Sequence, residues 1–287
     1  MSAQKAAVNF FCIGAQKAGT TTLYHLLSQH PKVYLPKEKE AHFFDDDTEY
    51  NKGLDYYLER YFPDQAKAEW MGTITPSYSL FEKVPERIKE SLGTKVKFIF
   101  ILRNPVERLW SQYHMNLSLK RESLSLADAI KAEKKRMQGS LRHQKRYSYV
   151  NRGLYAQQIE YYLEYFPKEN FLFLDFQDDF VSNLQNGIKK IEEFLKLEHH
   201  QYDFEVSMNA FQKNGKRKRI FNRIKRKLGL SAGFKDFQAS NKKDKIAKPE
   251  LSPELEEELL NTIFIQDIKR LESLTQTDYY QRWVLKN

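Results

Sequence analysis

The sequence predicts an α/β domain with a central, mostly parallel sheet flanked by helices, and three observations carry that reading. Apolar runs of strand length alternate with segments of helical spacing, the order that parallel strands with crossover helices require. The longest of these runs, at residues 8–13, 96–102 and 171–174, read as buried strands. A loop rich in Gly and Thr follows the first of them and opens directly into helical spacing.

Taken in order, the strand at 8–13 leads into the loop from Gly14, and 20–29 is a helix with Leu23, Leu26 and Leu27 on one side. Short apolar pieces follow at 33–35 and 70–74. After the strand at 96–102, Pro105 suits the first turn of a helix that runs through Tyr113 and beyond. A helix over about 154–166 ends before Pro167 and precedes the strand at 171–174. Ser252-Pro253-Glu254 starts the last helix as cap, proline and acidic first turn, with Leu255, Leu259, Leu260, Ile263, Leu271 and Leu274 inside. Residues 1–287 are read as one domain with a polar, basic excursion at about 212–250, punctuated by Gly215, Gly229 and Gly233.

A chain of 287 residues, 41% hydrophobic and 14% aromatic, buries a real core, which excludes disorder throughout. Its longest apolar runs stop well short of a membrane span, and no secretory-signal pattern opens it. The single cysteine, Cys12, rules out an intramolecular disulfide and any Cys-based metal cluster, and inside a strand it reads as a buried structural thiol. Together these features give the expectation of a soluble protein of a reducing compartment, the cytoplasm. The net charge of +9 equals the nine Lys and Arg residues between Lys213 and Lys227, a run with no acid in it. Such a run is a solvated basic face, or it attracts phosphates, a sulfated glycan, anionic lipid or nucleic acid; charge alone does not choose. Ile220, Phe221, Ile224 and Leu228 recur at helical spacing within it, the pattern of an amphipathic helix able to touch an anionic membrane at its periphery.

Gly14-Ala15-Gln16-Lys17-Ala18-Gly19-Thr20-Thr21-Thr22 lies between a strand and a helix, where backbone N–H groups and the helix dipole hold anions. The ATP-type loop places Lys directly after its second Gly; here Thr20 stands there and the lysine, Lys17, lies inside the loop. A second anion site is suggested by Arg103-Asn104-Pro105 at the carboxyl end of the strand 96–102, with Ser111 eight residues later. A guanidinium and a hydroxyl suit a phosphate dianion, although Glu107 is equally placed to cap Arg103. Pro36-Lys37-Glu38-Lys39-Glu40-Ala41-His42-Phe43-Phe44 supplies two candidate bases, Glu40 and His42; its spacing alone also fits a charged surface turn.

Residues 11–22 resemble the 5′-phosphosulfate loop, G-x-x-K-x-G-T-T-x, of sulfotransferases that use 3′-phosphoadenosine 5′-phosphosulfate (PAPS). Residues 101–113 resemble the 3′-phosphate motif of the same enzymes. Lys39-Glu40-Ala41-His42-Phe43-Phe44 is similar to the K-E-x-H-F-F segment of their heparan sulfate-type branch and its bacterial relatives. The resemblance implies a P-loop-type three-layer domain and transfer of the sulfuryl group of PAPS to a hydroxyl or amine of an acceptor, a saccharide or glycolipid. Carried over residue by residue, it makes Glu40 the base, sets His42 beside the acceptor, and gives Lys17, Ala18, Gly19, Thr20, Thr21 and Thr22 to the 5′ end of PAPS. Arg103 and Ser111 take the 3′-phosphate, Phe176 lies where some members set an aromatic beside adenine, and Lys216 and Arg217 are the best match to a late basic loop over the 3′-phosphate. No metal and no nucleic acid are implied. Two readings compete: a P-loop kinase or NTPase using Asp175 for magnesium, and a polyanion-binding protein built on residues 213–227.

Overall fold

The computed structural model describes residues 8–63, 68–204 and 251–285. Five parallel strands form one sheet in the order β2-β3-β1-β4-β5: β1 (Phe10–Gly14), β2 (Val33–Tyr34), β3 (Trp70–Ile74), β4 (Lys97–Leu102) and β5 (Phe171–Asp175). The helices, in chain order, are α1 (Thr20–Leu27), α2 (Asp47–Tyr50), α3 (Gly53–Tyr61), α4 (Lys83–Leu92), α5 (Pro105–Ser118), α6 (Leu126–Met137), α7 (Leu141–Tyr147), α8 (Tyr155–Leu163), α9 (Leu184–Leu195), α10 (Pro253–Leu259) and α11 (Ile265–Thr275). All five residues of β1 are buried, as central parallel strands must be when helices cover both faces.

Register brings one aromatic from each of three strands into a row. Phe11 pairs with Phe98, which pairs with Phe171. The Phe98 ring stacks on Phe11 at 6.1 Å and on Phe171 at 5.0 Å. Tyr162 of α8 and Phe166 just beyond it meet the same ring edge-on, at 5.1 and 4.7 Å. Edge-to-face and offset contacts of this kind suit the aromatic quadrupole and add to the gain from burial.

Local capping sets where the helices point. Asn104 accepts from the amides of Val106 (3.0 Å) and Glu107 (3.3 Å), and Pro105 fills the first turn, so α5 starts at the carboxyl end of β4. The expected helix over 154–166 is α8, shorter at its end. Its first amides are capped from a distance: Asp267 accepts from Ala156 (3.0 Å) and Gln157 (3.3 Å). The last helix is not continuous as the sequence suggested. A π turn at Leu260–Phe264 separates α10 from α11. Its extra residue per turn rotates the inner face, and Phe264 is wholly buried beside Gly153 and Pro105.

Phe98→Ala removes the ring on which four others converge. It should cost about 3–5 kcal/mol of unfolding free energy by urea denaturation; a loss under about 1 kcal/mol would show that the aromatic row is not what holds α8 to the sheet.

Candidate functional site

The loop after β1 has two residues in the left-handed region, Lys17 at φ 73° and Gly19 at φ 79°. Gly19 needs its missing side chain for a second reason: a Cβ there would lie 3.1 Å from Phe180 and 3.3 Å from Phe176. α1 begins at Thr20 with no acidic residue in its first turn, so the open amides of Thr20, Thr21 and Thr22 and the positive end of the helix meet no carboxylate of their own. Ala18, inside the loop, is fully buried. Lys17 Nζ lies 3.7 Å from Met115 Sδ on α5.

Arg103 leaves β4 one residue past its end and does two things at once. Its Nε and Nη2 donate to Glu107 Oε2 at 3.1 and 2.9 Å, the pairing that the sequence left open. Its Nη1 donates to the Lys17 carbonyl at 3.0 Å, and the guanidinium lies 4.7 Å from the Phe176 ring centroid. The two anion motifs are therefore bonded to each other. A cavity of about 480 Å³ is lined by Lys17, Thr20, Thr21, Thr22, Arg103, Ser111 and Glu40 together. Phe176, Phe180, Val181 and Leu184 form its apolar side.

Glu40 also has positive φ, 70°, in a loop that one buried tyrosine fixes. Tyr78 donates its hydroxyl to the Ala41 carbonyl and accepts from the amides of Phe43 (3.3 Å) and Phe44 (3.4 Å). Positive φ at a non-glycine residue costs on the order of 1–2 kcal/mol, which these bonds offset. Lys39 Nζ donates to Glu40 Oε1 at 3.1 Å, and Glu40 Oε2 is 3.6 Å from His42 Nε2. On its other edge His42 Nδ1 is 3.0 Å from Asp45 Oδ2.

Three residues of this network were given no role from the sequence. Asp45 is fully buried, and its Oδ2 meets Ser77 Oγ and Lys145 Nζ, both at 2.9 Å. Arg152, also buried, donates to the carbonyls of Pro76 (3.3 Å) and Lys145 (3.1 Å), tying α7 to the segment after β3. Burial pushes the Arg152 guanidinium down to about 10. Asp45 directly follows the Lys39–Phe44 segment; Lys145 is 103 positions from His42 in the chain, with no local pattern to mark it. A second cavity, also about 480 Å³, opens on this side, lined by His42 and by Arg121, Arg142, Lys145 and Arg146. Gln16 and Met115 line both cavities, so the two adjoin.

Other expectations are placed differently. Asp175 accepts from the amides of Gln177 (2.7 Å) and Asp178 (3.0 Å), and it lines a third cavity that shares Arg103 and Phe176 with the first. Burial raises its carboxyl above the ordinary range, and its Oδ1 is spent capping the turn that follows β5. Burial likewise pushes the Cys12 thiol up to about 12, which leaves it inert as a nucleophile. Among the described residues no group of three or more His, Cys, Asp or Glu is placed to hold a metal ion. No described helix is long and apolar enough to cross a membrane. Lys216, Arg217 and the whole basic run lie outside the described residues.

Residues 8–272 match the family model described as sulfotransferase domain. The chain is 30% identical over 202 residues to heparan sulfate glucosamine 3-O-sulfotransferase 5 of Homo sapiens, covering 69% of this chain and 56% of that protein. It is 32% identical over 203 residues to heparan sulfate glucosamine 3-O-sulfotransferase 6 of Homo sapiens, covering 69% and 55%. The chain thus spans about half the length of the curated relatives it matches. A crystal structure of a sulfotransferase from Alicyclobacillus acidocaldarius superposes with a TM-score of 0.72 at 26% identity, over 95% of this chain and 97% of that one. A mouse sulfotransferase complexed with PAP shares the fold, with a TM-score of 0.50 at 15% identity over 98% and 90% of the two chains.

Burial opposes the charge on Asp45, yet its contacts with His42 and then Lys145 outweigh burial and hold the carboxyl below the usual carboxylate range. A folded value below the unfolded one means that the ionised carboxylate stabilises the fold above about pH 4 and that this is lost as pH falls through the folded value. Asp45→Asn should be less stable at neutral pH, but its stability should decline less steeply from about pH 5 downward. Urea unfolding at a series of pH values reads both slopes; equal slopes would remove Asp45 from the acid response.

Proposed function

This chain belongs to the sulfotransferase-domain family, and from that premise we propose that it transfers the sulfuryl group of PAPS to a hydroxyl or amine of an anionic saccharide. The observation that carries the reading is the single cavity shared by Lys17, the first turn of α1, Arg103, Ser111 and Glu40. Two cationic anchors on neighbouring strands suit a nucleotide with phosphate at both ends of its ribose, whereas an ATP site has no use for the second.

The donor set fits PAPS. Lys17 and the amides and hydroxyls of Thr20, Thr21 and Thr22 would hold the 5′-phosphosulfate, Arg103 and Ser111 the 3′-phosphate, and Phe176 with Phe180 would face the adenine. When bound, PAPS supplies the sulfuryl group, whose bond to the 5′-phosphate breaks as the acceptor's oxygen or nitrogen bonds to sulfur. Glu40 takes the proton that the acceptor releases. Lys17 and the amides of α1 neutralise the charge left on the phosphate, and being fixed beforehand they need no reorganisation. His42 faces the adjoining cavity and orients the acceptor there. The wall of Arg121, Arg142, Lys145 and Arg146 favours an acceptor that already carries carboxylate or sulfate groups. A glycolipid headgroup with such charges meets the same requirement. By the same resemblance Lys216 and Arg217, which lie outside the described residues, are assigned to the 3′-phosphate, and peripheral contact with anionic lipid is proposed for the basic run. The one, buried cysteine suits a reducing cytoplasm.

Adenosine 3′,5′-bisphosphate should raise the melting temperature of the protein well above the effect of ATP with magnesium, because only a ligand that binds the native state stabilises it. The reverse ranking in a thermal-shift series would overturn the reading.

Glu40→Gln keeps shape and removes the base. Turnover on a sulfatable saccharide should fall about a hundredfold or more, with affinity for PAPS unchanged. If affinity falls along with rate, Glu40 merely steadies Lys39; normal turnover takes it out of the mechanism.

A further inference from the structure

Arg103 meets its partners through Nε and Nη2, which donate to Glu107 Oε2 at 3.1 and 2.9 Å, and through Nη1, which donates to the Lys17 carbonyl at 3.0 Å. A guanidinium carries five N–H bonds, so one hydrogen is left on each terminal nitrogen and a phosphate can bind without displacing either partner. Glu107 therefore keeps its place when a nucleotide arrives. It also stands close by. Glu107 and Ser111 lie four positions apart on α5, neighbours on one helix face with Cβ atoms about 5–6 Å apart. Arg103 lines both the first and the third cavity, with Ser111 in the first and Glu107 in the third. Arg282, the other cation lining the third cavity, is taken up by Asp178 and Asp278. A 3′-phosphate held by Arg103 and Ser111 thus has a carboxylate beside it whose one cationic partner is the arginine they share.

We propose that Glu107 sets the affinity for the nucleotide: it is the counter-anion of Arg103 in the free protein, and in the complex its charge repels the 3′-phosphate and hastens release of the spent nucleotide. PAPS and adenosine 3′,5′-bisphosphate both carry that phosphate, so the repulsion weakens substrate and product alike. Weakening of this uniform kind takes nothing from the stabilisation of the transition state, and it acts mainly on the rate of departure. The direction of Arg103 does not depend on Glu107. Tyr155 donates to the Arg103 carbonyl at 2.8 Å, Phe176 lies 4.7 Å from the guanidinium, and the Lys17 carbonyl holds Nη1. The role rests on the reading of Arg103 and Ser111 as ligands of the 3′-phosphate.

Isothermal titration calorimetry on the full chain reads the effect with adenosine 3′,5′-bisphosphate and, as control, adenosine 5′-monophosphate, which lacks the 3′-phosphate. Glu107→Gln keeps an oxygen that accepts from Arg103 and removes the charge alone. At low ionic strength it should bind the bisphosphate at least about threefold more tightly than the wild type, with the monophosphate within about twofold. The gain should shrink as salt is raised to about 0.5 M, which a change of shape would not follow. Glu107→Asp, which keeps the charge on a shorter side chain, should stay near the wild type. Unchanged binding of the bisphosphate by Glu107→Gln overturns the proposal. Weaker binding overturns it too and makes Glu107 a residue that orients Arg103. So does a gain that salt leaves intact, that both nucleotides share, or that Glu107→Asp reproduces. A wild type that binds the two nucleotides equally would instead overturn the assignment of Arg103 and Ser111 to the 3′-phosphate, and the role of Glu107 with it.

Discussion

Because β1 pairs in parallel with β3 on one side and β4 on the other, the chain leaves all three strands at the same end of the sheet, and each exit carries one part of the site. The exit of β1 is the Lys17 loop and the start of α1. The exit of β4 is Arg103 and the capped start of α5, which brings Ser111 round to the same cavity. The exit of β3 is the run of Thr75, Pro76, Ser77 and Tyr78, all buried, against which the Glu40 loop is pinned. Antiparallel pairing would have sent alternate exits to opposite ends; crossover connections make the convergence obligatory.

Convergence alone would place several cations in one cleft at the cost of mutual repulsion, and the structure meets that cost by pairing. Arg103 holds Glu107 on one edge and the Lys17 carbonyl on the other, so its charge is compensated and its direction set. Lys39 is paired with Glu40, and Lys145 with Asp45. Asp45 is the most demanding member, since a carboxylate taken wholly out of water is tolerable only when charged and hydrogen-bonded partners surround it. Its partners come from the segment after β3 and from α7, so one buried charge gathers distant stretches of chain at the edge of the second cavity. Two residues with strained φ, Lys17 and Glu40, face the first cavity, where the bonds that hold them also aim them.

The two cavities differ in what they can accept. The first combines cationic anchors with an apolar side of Phe176, Phe180, Val181 and Leu184, as a nucleotide with charged and aromatic ends requires. The second has His42 and four Arg and Lys residues around its mouth and suits a polar chain bearing negative charge. Glu40 stands at the first and His42 at the second, two residues apart on one loop. In the proposed reaction, that loop is where the group to be transferred and the group that receives it would meet.

Much of the scaffold was legible beforehand because it is written in local patterns. The strands at 70–74, 96–102 and 171–174 appear as β3, β4 and β5 with at most one residue of difference at an end. The Gly-Lys-Gly-Thr loop and the Arg-Asn-Pro turn carry their own signals, since a left-handed glycine, an Asn cap and a first-turn proline are each a demand of a few neighbouring atoms. The apolar runs determined a buried parallel sheet, and the parallel sheet determined which loops would gather at its carboxyl edge. Asp45, Lys145 and Arg152 could not be read this way. Their roles depend on contacts between segments far apart in the chain, where nothing local distinguishes a buried, paired charge from a solvated one. Nor could periodicity show that the last helix breaks into a π turn, because the break answers to Phe264 packing against Gly153 and Pro105. The sequence by itself determined the strands, the loop and the candidate anion-binding residues; only the tertiary structure decided which charges are paired, because pairing is fixed by distance in space and not by spacing along the chain.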